Sequence, residues 1–136
     1  MKKMYFVAVV IIFIIAIVFL RYFGDENTSN KRFLSRFGII TSEKPVMVEE
    51  IDIPAEFNDY FESYNVLQIE SGLSLLPYKG KGAIRYTYEV LNFPENYSNP
   101  VYAKIITVEG KPVAGDVNSP SLSGFILPLS YILTQK

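Results

Sequence analysis

The chain has 136 residues, 49 % hydrophobic and 20 % charged, with 8 Gly and 8 Pro; it is too apolar and too mixed to be disordered or fibrous, and its length suits one folded unit beside a membrane segment. Cysteine, histidine and tryptophan are absent, which excludes disulfides, thiolate and imidazole metal sites, and nucleophiles that depend on cysteine or histidine. From residue 24 onward, 10 of the 13 basic residues stand against all 14 acidic ones, so the folded part carries about four negative charges and has no electrostatic reason to seek nucleic acid.

Residues 4 to 20, MYFVAVVIIFIIAIVFL, are continuously apolar. At ~1.5 Å per residue they make a helix about 25 Å long, near the lower limit for crossing hydrocarbon. Tyr5 at one end and Phe19, Tyr22 and Phe23 at the other resemble interfacial aromatic belts, with Arg21 placed to snorkel. No small-residue cleavage pattern follows Leu20, so residues 1 to 23 read as an uncleaved signal anchor that contacts the membrane through residues 4 to 23. Lys2 and Lys3 favour a cytoplasmic N-terminus, against the opposing pull of Arg21, Lys31, Arg32 and Arg36. The expectation is a single-pass protein of the cell membrane with residues 24 to 136 extracytoplasmic.

Residues 24 to 30, GDENTSN, are polar and without periodicity, which predicts a linker with Thr28 and Ser29 as helix caps. The folded domain is expected over 31 to 136. Phe33, Leu34 and Phe37 predict a short helix closed by Gly38. In PVMVEEIDI, residues 45 to 53, Val46 and Val48 share one phase and Ile51 and Ile53 the other, which predicts one strand with a bulge at Glu49 and Glu50. Pro54 is placed to open a helix carrying Phe57, Tyr60, Phe61, Tyr64 and Leu67 on one stripe and ending at Gly72. After a broken stretch over 73 to 82, Ile84, Tyr86, Tyr88 and Val90 alternate with polar residues as a half-covered strand. Residues 92 to 100 predict a loop, Val101 to Val108 a third strand, Glu109-Gly110 a tight turn, and Lys111 to Val117 a fourth strand. The composition of residues 124 to 136 suits either a strand or a helix. The order gives an α+β domain: an antiparallel sheet of about four strands packed on one long amphipathic helix, behind the transmembrane helix.

No string specifies a reaction, and no catalytic residue, cofactor or metal site is assigned. Tyr78, Lys79, Gly80 and Lys81 form a basic turn able to hold a phosphate or a carboxylated sugar, although it lacks P-loop spacing and reads first as a solvated turn. Asp116 and Asn118 lie in a glycine-opened bend, GDVNS, too poor in oxygen ligands for calcium. Most tyrosines fall on core-facing positions, with Tyr97 the exception, placed in a loop as a platform for a glycan or a protein. Glu50 with Asp52, or Ser71 and Ser74 with Lys79 and Lys81, supply the vocabulary of a small envelope hydrolase. Asn27-Thr28-Ser29 and Asn96-Tyr97-Ser98 are formal glycosylation sequons.

Several strings in order resemble a domain family of unknown function found in small exported or membrane-anchored proteins of Gram-positive bacteria. They are Phe33-Leu34 with Phe37-Gly38, Ile53-Pro54-x-Glu56-Phe57, Tyr64-Asn65-x-Leu67-Gln68, Tyr78-Lys79-Gly80-Lys81, Arg85-Tyr86-Thr87-Tyr88-x-Val90-x-Asn92-x-Pro94, Gly115-Asp116-Val117 and Gly124-Phe125. Ala114 stands where that resemblance leads one to expect a second glycine. The resemblance implies a domain class and a location, and no activity. With the residues it leads to the expectation of a binding module for an envelope polymer or a membrane partner, through Tyr78, Lys79, Gly80, Lys81, Tyr97, Asp116 and Asn118.

Overall fold

The computed structural model describes residues 1–94 and 97–135, and of residues 22–25 the helical backbone only. Helix α1 spans Lys2–Ser35, β1 Met47–Asp52, α2 Asp59–Glu70, β2 Gly82–Glu89, β3 Tyr102–Val108, β4 Lys111–Ser119, β5 Phe125–Leu127 and α3 Tyr131–Thr134, with a 3-10 turn at Leu76–Tyr78. The five strands form one antiparallel sheet in the order β1-β2-β3-β4-β5. This is an α+β fold. The fifth strand and α3 occupy the segment whose composition suited either state.

The α1 helix is long and apolar enough to cross a membrane, and its apolar window is wholly exposed. It does not stop at residue 24. Residues 24 to 30 are helical instead of the linker that their composition predicts, because the turns beyond the apolar run have partners on the sheet. The Tyr86 hydroxyl donates to Glu26 at 2.5 Å and the Tyr88 hydroxyl to Asn27 at 2.7 Å, while Asn30 is fully buried. Thr28 and Ser29 therefore lie inside a helix and cap nothing. The expected short helix around Phe33 is the end of α1, and Gly38 closes it at φ +71° while the Ile39 amide bonds back to the Leu34 carbonyl. The Tyr22 and Phe23 side chains expected at the interface lie outside the described residues.

Alternation along the strands builds two faces. Tyr86 and Tyr88 of β2, Ala103 and Ile105 of β3 and Val117 of β4 face Phe33 and Leu34 of α1, with Leu129 and Ile132 closing the cluster. On the other face Ala83, Ile106, Val108 and Ala114 pack with Ile53, Leu75 and the partly buried Phe57, Phe61 and Tyr64 around α2.

Three local expectations differ from the structure. The β1–β2 register is regular from Met47↔Thr87 to Asp52↔Gly82, with no bulge at Glu49 and Glu50; as an edge strand, β1 leaves Val46 and Val48 exposed instead of inserting a residue. The irregularity lies between β3 and β4, where Ile106 faces Ala114 and Thr107 faces Pro112, beside a proline that cannot donate to the ladder. Pro54 does not open α2. The Gly80 amide bonds to the Ile53 carbonyl at 2.9 Å and the Pro54 carbonyl at 3.3 Å, and the helix starts after Asn58, whose side chain accepts from the Phe61 amide. The third is strand β4, which continues through Ser119, so GDVNS is extended chain and not a bend. The β3–β4 turn is the two-residue hairpin expected, with Glu109 at φ 51° and Gly110 at φ 77°.

Candidate functional site

The α2 side of the sheet is only partly covered. Strand register sets its floor: Met47 stands opposite Thr87, Thr87 opposite Lys104, and Lys104 opposite Asp116. The adjacent row runs Glu49, Arg85, Ile106, Ala114. Tyr60, Phe61 and Tyr64 of α2 wall one side of a cleft of about 420 Å³, and Pro120, Phe125 and Ile126 of the β4–β5 hairpin wall the other. A second cavity of about 430 Å³ reaches the β1 edge at Val46 and Met47. The two share Arg85, Lys104, Asn118 and Pro120, so they form one groove across the strands, aromatic at one end and open at the other.

Asp116 is the buried carboxyl of this groove, 3 % exposed. It accepts from the Tyr64 hydroxyl at 2.6 Å and from the Asn118 amide at 2.9 Å. Burial raises its pKa, against the lowering effect of those two donors and of the more distant Lys104 and Arg85 charges. The Tyr64 phenol is pushed well above its ordinary value, first by burial and then by the neighbouring Asp116 charge. The pair is a buried carboxyl with both oxygens engaged, one of them by a buried phenol.

The cations differ in their partners. The Arg85 Nε and Nη2 atoms bond to one Glu49 oxygen at 2.9 and 2.7 Å, whereas Lys104 makes no ion pair among the described residues. Beside it, Thr87 is 6 % exposed and its Oγ1 has no hydrogen-bond partner among the described residues. A buried hydroxyl without a partner costs of order 1–3 kcal/mol.

Of the residues nominated from the sequence, Asp116 and Asn118 lie in the groove. Tyr97 lies outside both cavities and packs on the α1-side cluster, its hydroxyl 3.0 Å from Ser121 Oγ and its ring against Phe93 and Phe125; hydrogen bonds, that of Ser119 first and then Ser121, lower its pKa. Tyr78, Lys79, Gly80 and Lys81 line neither cavity of the groove. Tyr78 packs on the α2-side core, the Lys79 ammonium lies 4.8 Å over the Phe57 ring, and Lys81 sits 4.0 Å from Glu109. The turn is occupied with its own contacts.

The hydrolase vocabulary is likewise held elsewhere. The Ser71 hydroxyl pairs with Ser130 and that of Ser74 with Asn65, neither with a lysine. Glu50 and Asp52 border a separate groove with Glu26 and Glu109; among the described residues no group of three or more such side chains is arranged to hold a metal ion. Asn27 is engaged with Tyr88 and the Glu43 carbonyl, and Asn96 lies outside the described residues.

Sequence reasoning missed Arg85, Thr87 and Lys104, which read as the wet side of ordinary strands, and Tyr64, which read as core. Only cross-strand register brings them together. Compared with models of known protein families, with curated proteins and with solved structures, the chain finds no match.

Proposed function

We propose that the chain is a single-pass membrane protein whose folded part stands outside the cytoplasm and binds an extended segment of an envelope polymer. The observation that carries this reading is the groove: two joined cavities on one sheet face, with Tyr60, Phe61 and Tyr64 at one end and Arg85, Lys104, Asp116 and Asn118 along the floor. Rigid aromatic area beside convergent polar groups is the common makeup of a ligand site. An opening at the β1 edge suits a chain that continues past the site better than a small molecule. The exposed apolar part of α1 supports the anchor, and Lys2 and Lys3 support its direction.

One variant serves both tests. Leu122 is fully exposed in the loop between Pro120 and Gly124, and the chain has no cysteine, so Leu122→Cys gives a single thiol at the groove rim. Labelling by a membrane-impermeant maleimide in intact cells is expected; labelling only after lysis overturns the location. With an environment-sensitive fluorophore there, the full chain in lipid nanodiscs is expected to give a saturable signal with a soluble trimer of N-acetylglucosamine or of galacturonic acid. A flat response to both at millimolar concentration overturns the groove as a polymer site.

A further inference from the structure

We infer that the groove selects an anionic polymer, with an acid group of each bound segment seated on the Lys104 ammonium above the Thr87 hydroxyl. This rests on the binding reading given above and names the ligand class. Three observations carry it. Lys104 lines both cavities and makes no ion pair within 4.0 Å among the described residues, whereas Arg85 is already paired with Glu49. Thr87, directly opposite Lys104 and lining the same cavity, holds a buried hydroxyl that has no hydrogen-bond partner among the described residues. An ammonium beside a free hydroxyl donor is matched by an oxyanion, which accepts from both.

The third observation is the state of Asp116, the carboxyl across from Lys104. Its two oxygens are engaged by Tyr64 and Asn118, and it forms no ion pair with Lys104 within 4.0 Å. The folded part as a whole is acidic, which opposes the approach of any anion, so the acid group must be held by the local Lys104 charge. A carboxylated glycan and a polyol-phosphate chain offer the same oxyanion chemistry.

The test uses the Leu122→Cys reporter in the full chain, in nanodiscs of neutral lipid at low salt. The galacturonic acid trimer is expected to bind at least tenfold tighter than the N-acetylglucosamine trimer, with the difference shrinking as salt is added. Adding Lys104→Met removes that preference and leaves the neutral trimer unchanged. Adding Thr87→Val weakens the acidic trimer severalfold while leaving the melting temperature equal or higher, since it deletes an unpartnered hydroxyl. A purely structural hydroxyl would lower the melting temperature and leave affinity alone, which would remove Thr87 from the site. Glycerol 3-phosphate competing with the acidic trimer identifies a phosphate-bearing ligand, and competition by galacturonate alone a carboxylated one. Equal binding of neutral and acidic trimers, indifferent to Lys104→Met, overturns the inference and leaves the groove reading standing. Silence with both trimers overturns both.

Discussion

The Tyr86 hydroxyl of β2 donates to the Glu26 carboxylate of α1 at 2.5 Å, across 60 residues of sequence and with both side chains buried. The bond ties the helix that bears the apolar run to β2, the strand next to the β1 edge. A hydrogen bond to a charged group is worth about 1.5–3 kcal/mol, and leaving either partner buried alone adds a desolvation cost. Tyr86→Phe and Glu26→Ala are each expected to lower the melting temperature of the full chain in micelles, read by near-ultraviolet circular dichroism of its tyrosines, by roughly 6–24 °C at ~4–8 °C per kcal/mol. The double variant should lose clearly less than the sum of the two. Additive losses would show that the two residues act separately.

Gly115 leaves no room for a side chain between β4 and β3. A Cβ there would lie 2.3 Å from the Lys104 carbonyl oxygen and 3.0 Å from Leu129 Cδ1, and neither a central strand nor a fully buried leucine can retreat cheaply. Gly115→Ala is expected to cost at least ~1–3 kcal/mol by overpacking and to disturb Lys104 beside it. Denaturant unfolding measures it; a change under about 0.5 kcal/mol, the ordinary range for a neutral surface substitution, would refute the steric account.

Gln68 is fully buried on α2, where its Oε1 accepts from the Gly115 amide at 2.8 Å and its Nε2 donates to the Tyr64 carbonyl at 3.3 Å. Strand β5 pairs only with Val117, Asn118 and Ser119, so the helix side chain satisfies a strand amide that β5 leaves uncovered. Gln68→Leu keeps most of the volume and removes the acceptor, at an expected cost of ~1–3 kcal/mol. Hydrogen exchange should show the Gly115 amide losing protection before its β4 neighbours, and unchanged exchange there would count against the contact.

Asp116 gives a pH dependence whose sign follows from burial. Because its pKa is raised in the folded protein, the folded state holds a proton that the unfolded chain releases first, so stability is greatest below the unfolded value near 3.8 and falls as pH rises through the folded value. Asp116→Asn cannot titrate. The melting temperature of the variant minus that of the parent should therefore increase from pH 4 upward, whatever its starting offset from altered bonding to Tyr64 and Asn118. A difference constant from pH 4 to 7 would show that Asp116 does not titrate there.

The strands were legible where chemistry repeats along the chain. Ile84, Tyr86 and Tyr88 alternate, and Glu109-Gly110 supplies two residues able to take positive φ, so β2, β3 and the following hairpin follow from local pattern. Helix α1 was not legible beyond Phe23, because GDENTSN has the composition of a linker and its partners Tyr86 and Tyr88 lie about sixty residues away. For α2 the aromatic stripe was visible, whereas the residues it buries most deeply are Asn65 and Gln68, polar side chains chosen for backbone groups that folding alone brings near. In β1 the two phases of valine and isoleucine suggested a bulge, when exposure of Val46 and Val48 at a sheet edge was the simpler outcome. The groove was half legible: Asp116 and Asn118 share a short polar string, while Arg85, Thr87 and Lys104 converge through registers set by neighbouring strands.

The apolar run of α1 is short and the helix does not break between it and Glu26. A span of about 25 Å falls short of the ~30 Å hydrocarbon layer of an average bilayer, which responds by thinning or by drawing flanking residues inward. Because those flanking residues belong to a helix bonded to the sheet, they cannot move without it. On the membrane-spanning reading proposed above, the height of the sheet over the lipid would be set by bilayer thickness and not by the slack of a tether, and a thicker membrane would draw the groove down toward its surface.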